Sequence, residues 1–379
     1  MSGSAASTAR SEAFLRFVRT PGAVRRILVV RSGMLGDTVF VTPVLSRLRS
    51  TFPGAEVHVA LGKHVASLLR NLPLDEVHEF QFGRSLIREI LAYLRLRSQH
   101  FDVVLILETN SHFTLMARLL GAGKLAGYEN KLGSMLDYTV AWDQRKHFVD
   151  NAVGAVREWT TGTDRPWLIV SDREERDARE WLDAAGVPQG KPIVCMHPWT
   201  SVYRATRQWD PGRYAPLADA LIERFDCAVV YSGHFSDSGR NDQVRAVMRH
   251  PSVNLAGYGS MREILAVMKL SSLVIGPDTG ILHMATGVQT PVLMIMGETD
   301  PVRTGPYDPG GLSRMLRFEL PCSPCFERTP KPVQWETCKR VWPVVCMQQL
   351  SVETVYKAAE EILIRRLAWA GTSHVGQVL

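Results

Sequence analysis

Three short stretches of the sequence place polar residues directly after apolar runs, where side chains can reach a ligand. In the first stretch, Val29 and Val30 end such a run, Gly33 and Gly36 follow, and Asp37 stands where a helix should begin. An Asp at that point can serve as a helix N-cap. It can equally present a carboxylate at the carboxyl end of a first strand, which is where α/β folds place their chemistry.

The second stretch, VIGPDTGILH, has the pattern of an anion site at the start of a helix. A strand is expected to end at Ile275, and Asp278, Thr279 and Gly280 open the next helix. Free N–H groups and the dipole at such a helix start attract phosphate. His283 falls on the same helix face as Thr279. The residues alone leave a second interpretation equally open, in which Asp278 and Thr279 only cap a core helix and His283 makes an internal hydrogen bond.

The third stretch, HPWTSVYRATRQWDPGRY, is a long polar loop that contains Arg204, Arg207, Trp209 and Arg213. A guanidinium at the strand end of an α/β domain can bind a diphosphate through two hydrogen bonds, although the loop could instead be a solvated surface. The sequence has no Asp-x-Asp pair to hold a divalent ion on a nucleotide diphosphate. A leaving diphosphate would then have to be stabilised by a helix start and an arginine, without a metal.

These stretches belong to two successive series of alternating strands and helices. The strands are predicted at 27–30, 57–60 and 103–107, and then at 192–196, 227–231, 273–275 and 292–295. Short β-branched runs separated by helices are typical of parallel sheets covered on both faces. We therefore expect two doubly wound α/β domains. The chain would then consist of a polar, basic arm (1–24), domains at 25–180 and 181–350, and a C-terminal helix and tail (351–379). A solvated acidic helix is expected at 172–183.

Length, charge and composition narrow the classes of function. A chain of 379 residues is long for one core, and a net charge of +6 with a pI near 9.0 favours anionic partners. The sequence has no zinc-finger spacing, aromatic RNA-binding signature or lysine-rich block, so nucleic acid is not the expected partner. Apolar runs too short for a membrane span, and arginines that interrupt the first apolar segment, predict a cytoplasmic protein.

Four of the six cysteines cluster in the sequence, at Cys322, Cys325, Cys338 and Cys346. A C-x-x-C pair followed by two more cysteines is similar to structural zinc sites, but the later two lie farther apart than such sites usually require. The spacing favours a reduced cluster that packs a loop, and it leaves a metal site as the open alternative.

In this order along the chain, several segments resemble glycosyltransferase family 9, the lipopolysaccharide heptosyltransferase family. They are ILVVRSGMLGDTVFVTPVL, HPWTSVYRATRQWDPGRY, GPDTGILHMATGVQTPVLMIMGETDPVRTGPY and CSPCF. The resemblance implies a GT-B fold, with an acceptor domain and a nucleotide-sugar donor domain facing each other across a cleft. It also implies transfer of a sugar, typically heptose from ADP-heptose, with inversion at the anomeric carbon and no essential metal or cofactor.

The resemblance also assigns roles to residues. The family's catalytic Asp falls on Asp37, and Ser32, Gly33 and Gly36 form the acceptor-side loop before it. Arg207 stands where the family usually has Lys, which keeps the charge but not the geometry. Glu298 stands where Pro is usual. The donor-binding residues that the resemblance implies are Arg207, Trp209, Asp278, Thr279, Gly280 and His283, with Asp237 as the nearest candidate for the acid that holds the nucleoside.

The resemblance fixes neither the sugar nor the acceptor. The expected acceptor is a glycolipid of the lipopolysaccharide-core type at the cytoplasmic face of the inner membrane. The alternatives are a family member retargeted to another sugar or to a protein, and a GT-B nucleotide-sugar epimerase, which would need its acid and base groups around the donor alone.

The composition of the segment at 84–97 suggests peripheral contact with the inner membrane. Arg84, Arg88, Arg95 and Arg97 alternate there with leucine and isoleucine, which suits a helix near acidic headgroups. The alternative is a surface helix that packs its apolar face on the sheet.

Overall fold

The two series of strands form two six-stranded parallel sheets in two compact units, Met1–Ile169 and Val170–Leu379. The computed structural model describes residues 2–83, 85–257, 259–326, 338 and 344–373. The strands of the first unit are β1 (Arg26–Val30), β2 (Glu56–Gly62), β3 (Glu76–Phe80), β4 (Val103–Ile106), β5 (Lys124–Tyr128) and β6 (Tyr138–Val140). Those of the second unit are β7 (Ile193–Met196), β8 (Ala228–Tyr231), β9 (Val253–Asn254), β10 (Leu273–Pro277), β11 (Val292–Ile295) and β12 (Arg314–Leu316).

Each sheet has the strand order of a dinucleotide-binding fold. The first runs β3-β2-β1-β4-β5-β6, and the second runs β12-β11-β10-β7-β8-β9, which is the same order when its strands are counted from β7. The order reverses between β1 and β4 in the first sheet and between β7 and β10 in the second, and both pairs are parallel. The predicted pair of doubly wound α/β domains is confirmed. Ligands of such sheets bind at the carboxyl ends of the strands, at the point of reversal.

Helices cover the sheets, and their apolar faces supply the two cores. In the first unit they span Ser2–Arg19, Leu35–Thr51, Lys63–Ala66, Leu86–Leu96, Ser111–Arg118 and Phe148–Gly154. In the second unit they span Asp172–Ala184, Tyr214–Phe225, Ser238–Arg245, Met261–Leu270, Gly280–Gly287, Pro301–Thr304, Val345–Gln348 and Val352–Ser373.

The N-terminal segment is part of the first core. Phe14 of helix Ser2–Arg19 is fully buried, with its ring 5.1 Å from that of Tyr138 and 5.4 Å from that of Trp159. Stacked and edge-to-face rings of this kind contribute beyond the area that they bury. This corrects the expectation that residues 1–24 form an arm outside any core.

The acidic segment before β7 forms the predicted helix, but it is more than a solvated linker. Glu174 of helix Asp172–Ala184 accepts two hydrogen bonds from the buried Arg262 guanidinium, at 2.8 and 2.7 Å. This bidentate pair ties the helix to Met261–Leu270 and so to the second unit. The division after Ile169 therefore precedes the expected boundary at 180/181, which falls inside the helix.

The C-terminal helix completes the second core. Val355, Ala359, Ile362 and Leu363 of Val352–Ser373 are buried in the core cluster that also contains Leu217 of helix Tyr214–Phe225. Their spacing places them on one face of the helix. The predicted C-terminal helix is present, and the tail at 374–379 lies outside the described residues.

Candidate functional site

Asp37 lies in the first turn of helix Leu35–Thr51 and is not its N-cap. Its Oδ2 accepts a hydrogen bond from the Met34 N–H at 2.8 Å, so the carboxylate still satisfies a backbone donor at the start of the helix. The helix begins two residues before Asp37, earlier than the sequence predicted, and Gly36 is therefore helical rather than part of the turn.

Gly33 is needed because the backbone passes directly against Asp37. A Cβ atom at Gly33 would lie 2.3 Å from the Asp37 Cβ, a distance that side-chain atoms do not tolerate. The neighbouring Ser32 is held by Glu108, which accepts from the Ser32 N–H at 2.7 Å and from its hydroxyl at 2.8 Å. The predicted loop Ser32–Gly33 thus fixes the position of the carboxylate.

Two charged residues that the sequence analysis did not single out complete this site. Arg31 directly follows β1, and its guanidinium contacts Asp37 Oδ1 at 2.7 Å and Glu108 Oε1 at 3.5 Å. Glu108 follows β4, the strand beside β1 at the point of reversal. The strand-end rule that selected Asp37 would have selected both residues, had it been applied to every strand.

The electrostatics of this cluster keep Arg31 charged. Burial alone would lower the pKa of Arg31, but the carboxylates of Asp37 and Glu108 outweigh it and raise that pKa above its usual value. The Asp37 side chain keeps 27% of its surface exposed. Since each carboxylate oxygen can accept two hydrogen bonds, both Asp37 oxygens retain capacity for a substrate hydroxyl.

A cavity of about 320 Å³ opens at the carboxyl ends of the strands on this side of the sheet. Lys63 and His64 give it a basic wall, and Phe80 and Phe82 give it an aromatic one. The lining residues are Ser32, Gly62, Lys63, His64, Phe80, Gln81 and Phe82. A polar, anionic ligand with an apolar face fits such a lining.

In the second unit, the loop arginine meets two buried acids. Arg207 Nε donates to Glu298 Oε1 at 2.9 Å, and its Nη1 donates to Asp278 Oδ2 at 3.2 Å. Both acid side chains are only 4% exposed. Thr206 donates to the other oxygen of Glu298 at 2.6 Å. Asp278 follows β10, Glu298 follows β11 and the arginine loop follows β7, so three adjacent strands build the cluster.

Asp278 is held as a carboxylate by its neighbours. Burial alone would raise the pKa of Asp278, but the hydrogen bond from His283, the charge of Arg207 and the Thr299 hydroxyl together lower it. His283 Nε2 lies 3.5 Å from Asp278 Oδ1, and Thr299 Oγ1 donates to Oδ2 at 2.7 Å. Of the two interpretations left open, the internal hydrogen bond of His283 is therefore present.

The helix start beside Asp278 also keeps features of an anion site. Thr279 is the N-cap of Gly280–Gly287. Its hydroxyl oxygen is buried and makes no hydrogen bond to any described residue. A buried hydroxyl without a partner costs free energy unless a ligand or water satisfies it. The N–H groups in the first turn of a helix have no intrahelical partners and can bind an anion.

Trp209 does not face a ligand as predicted, and the nucleoside-binding role of Asp237 stays a prediction. Trp209 is fully buried and donates its indole N–H to the Leu350 carbonyl at 2.8 Å, which corrects the expectation of a direct donor contact. Asp237 accepts from the His234 N–H at 2.9 Å and from Arg240 at 3.1 Å, so both of its oxygens have partners. The Arg240 guanidinium lies 3.6 Å above the ring of Trp199.

The four clustered cysteines share one apolar cavity of about 300 Å³, next to Glu298. All four are free thiols. Burial first, and then the charges of Glu298 and the other thiols, raise the pKa of Cys325 to about 12. The structure thus brings together the four side chains that the sequence grouped.

The helix Leu86–Leu96 turns an apolar stripe outward. Tyr93 and Leu96 are buried, whereas Leu86, Ile87, Leu91 and Leu94 are 56, 72, 47 and 41% exposed. The exposed Arg88 and Arg95 lie on the same helix, and Arg84 lies outside the described residues. Tyr93 and Leu96 lie in the core cluster of the first unit and Ile90 packs against it, so the alternative holds for one side of the helix and not for the exposed stripe.

Comparisons with known proteins decide the family. Residues 92–335, well over half of the chain, match the model of glycosyltransferase family 9 (heptosyltransferase). The chain belongs to glycosyltransferase family 9. It is 25% identical to lipopolysaccharide heptosyltransferase 3 of Escherichia coli over 304 residues, which cover 75% of this chain and 85% of that protein.

Solved structures agree in fold. The family 9 glycosyltransferase of Veillonella parvula DSM 2008 has a TM-score of 0.75 at 19% identity, covering 90% of this chain and 97% of that one. The E. coli ADP-heptose lps heptosyltransferase II has a TM-score of 0.70 at 16% identity, covering 90% and 99%. The chain is therefore a glycosyltransferase with the GT-B fold. Within the described ranges, no helix combines the length and hydropathy that a transmembrane segment needs.

Proposed function

We propose that this glycosyltransferase transfers heptose from ADP-heptose to a glycolipid acceptor of the lipopolysaccharide-core type, with inversion and with Asp37 as general base. The names of the similar E. coli proteins support the donor and the class of acceptor. The observation that carries the proposal is the Asp37 carboxylate, which is 27% exposed and is fixed by Arg31 at the carboxyl end of β1.

In the proposed reaction, Asp37 accepts the proton of an acceptor hydroxyl while that oxygen attacks the anomeric carbon. Proton transfer neutralises Asp37. If Asp37 were the only partner of the buried Arg31, the guanidinium would then have no counter-charge. Glu108, 3.5 Å from the guanidinium, remains as its counter-charge. Glu108 therefore keeps Arg31 paired once Asp37 has taken the proton.

The departing ADP needs positive charge and hydrogen-bond donors on its diphosphate. Arg207 uses Nε and Nη1 on Glu298 and Asp278, and its Nη2 donates to none of the described residues. We assign this free edge, the Thr279 hydroxyl and the N–H groups that start helix Gly280–Gly287 to the diphosphate. The proposal requires no metal and no cofactor, because these groups supply the stabilisation.

The acceptor is assigned to the cavity of about 320 Å³ beside Ser32. Lys63 and His64 suit the phosphate or carboxylate groups of a core saccharide. An acceptor that is anchored in a membrane also needs the enzyme at the surface, and the exposed stripe of helix Leu86–Leu96 with its arginines suits acidic headgroups.

The test of the reaction is a transfer assay with purified protein. ADP-heptose and a heptose-free core acceptor should give an acceptor heavier by one heptose, with ADP released and the anomeric configuration inverted. Matched UDP- and GDP-sugars should give much less product. Transfer to protein, or conversion of the donor without any acceptor, would instead support a retargeted enzyme or an epimerase.

The membrane assignment is tested by flotation with vesicles that contain or lack anionic lipid. The double substitution Leu91→Glu/Leu94→Glu should abolish flotation with anionic vesicles. The matched control Val247→Glu changes a side chain that is 70% exposed in the second unit, and it should float as the wild type does. Flotation that is indifferent to lipid charge or to the double substitution contradicts the assignment.

A further inference from the structure

Besides the four cysteines, a second cluster of potential metal ligands lies near the amino ends of β2 and β3. The cavity beside Ser32 lies at the carboxyl ends of these strands. His58 is the third residue of β2, and Glu76 and His78 are the first and third residues of β3. The strands are parallel, with His58 paired to Glu76 and Ala60 paired to His78. Side chains two residues apart share a face of the sheet, so both imidazoles and the carboxylate point the same way.

The three side chains are already close enough to share an ion. His58 Nδ1 lies 3.0 Å from His78 Nε2 and 3.7 Å from Glu76 Oε2. Each residue offers one ligand atom, and these three atoms lie within 4.8 Å of one another. In a tetrahedral zinc site with Zn–N bonds of about 2.0–2.1 Å, two ligating nitrogens are roughly 3.3 Å apart, so only a small separation of the rings is needed.

The surroundings suit an ion that enters from solvent and is then sheltered. The side chains of His58 and His78 are only 6 and 8% exposed, and Phe101 packs edge-on against His58 at 5.2 Å. The Glu76 side chain is 52% exposed and forms the open side.

We propose that His58, His78 and Glu76 form a zinc site that fastens the edge strand β3 to β2. His58 Nδ1, His78 Nε2 and one Glu76 oxygen are the protein ligands, and water completes a four-coordinate shell. Glu56 is a poorer fourth ligand because Arg26 already occupies its carboxylate at 2.7 Å. Imidazole and carboxylate ligands favour Zn²⁺ over harder cations such as Mg²⁺. The site lies at the amino ends of the strands, so it takes no part in the proposed transfer.

The test uses Co²⁺ as a spectroscopic probe on the full-length protein after treatment with a chelator. One equivalent of Co²⁺ should give the visible bands of a four-coordinate nitrogen and oxygen site, and Zn²⁺ should displace it. A sulfur-to-cobalt charge-transfer band should be absent, which distinguishes this site from the four cysteines.

Variants then locate the bound ion. Glu76→Gln changes a half-exposed side chain and should fold, and it should weaken Co²⁺ and Zn²⁺ binding at least about tenfold. His58→Gln should weaken it further, and Zn²⁺ should raise the Tm of the wild type but not of either variant. Cys322→Ser/Cys325→Ser should bind as the wild type does. No stoichiometric binding, or binding that survives Glu76→Gln and is lost in the cysteine variant, would overturn the proposal.

Discussion

Removing the arginine that bridges two buried acids should unfold the second unit at a much lower temperature. Arg207→Met leaves Asp278 and Glu298, each 4% exposed, without the guanidinium between them. At contacts of 2.9 and 3.2 Å the charges are about 4 Å apart, and each pair is then worth about 4 kcal/mol at an effective dielectric constant near 20. Measured losses of one partner of a buried pair are about 3–5 kcal/mol.

For a unit of this size, that loss corresponds to a fall in Tm of about 6–20 °C, since 1 kcal/mol shifts Tm by about 2–4 °C. The assay is thermal unfolding at pH 7 followed by circular dichroism. Arg207→Met/Glu298→Gln removes one stranded charge and should recover about half of the loss. The surface control Arg173→Met changes a side chain that is 86% exposed and is paired with Asp177, which is 57% exposed, and it should cost less than about 1 kcal/mol. A fall in Tm for Arg207→Met no larger than that of the control would refute the bridging role.

Two further substitutions test local features of the structure. Gly33→Ala should lower kcat by about 10²-fold with little change in donor KM, because the added Cβ displaces Asp37 from its position; steady-state kinetics of transfer measures this. Glu174→Gln should remove a pH-dependent part of the free energy of unfolding. In the wild type the pKa of Glu174 is lowered from 4.5 to about 2. Its ion pair therefore stabilises the fold above about pH 4.5, and this stabilisation is lost as the pH falls toward 2. The difference in stability between the two proteins is at most about 3 kcal/mol, and about 1–2 kcal/mol after solvent screening. Urea unfolding of both proteins at pH 7 and pH 3 measures it, because most of the loss falls below pH 4.

The central strands of both sheets could be predicted from the sequence, and most of the outer ones could not. β1 and β11 are continuous apolar runs because helices cover both of their faces. β3, with the sequence EVHEF, has two exposed residues and one half-buried residue of five, and β12 has two exposed residues of three. Such strands form because a neighbouring strand supplies hydrogen bonds. The sequence of one segment does not show which strand will pair with it.

Some residues of the candidate site could likewise be predicted from the sequence, and others could not. Asp37, Asp278 and the arginine loop were found because each follows a strand that is evident in the sequence. The contacts of Arg31 with Glu108 and of Arg207 with Glu298 join residues from different strands, so they appear only after the strand order is known. Trp209 was misjudged for the same reason: its indole N–H finds the carbonyl of Leu350, which is distant along the chain.

The general base is the central claim, and Asp37→Asn tests it most directly. Asn keeps the size of the side chain, but it cannot take the proton of the acceptor. Its single carbonyl oxygen can accept from Arg31 or from the Met34 N–H, which bond to different oxygens of Asp37, so the Tm of the variant serves as the control for the bond that is lost. The measurement is kcat for transfer of heptose from ADP-heptose, with ADP affinity and Tm recorded on the same samples. The account predicts a fall in kcat of about 10²–10⁴-fold with ADP affinity unchanged. A kcat within a few-fold of the wild type would contradict it.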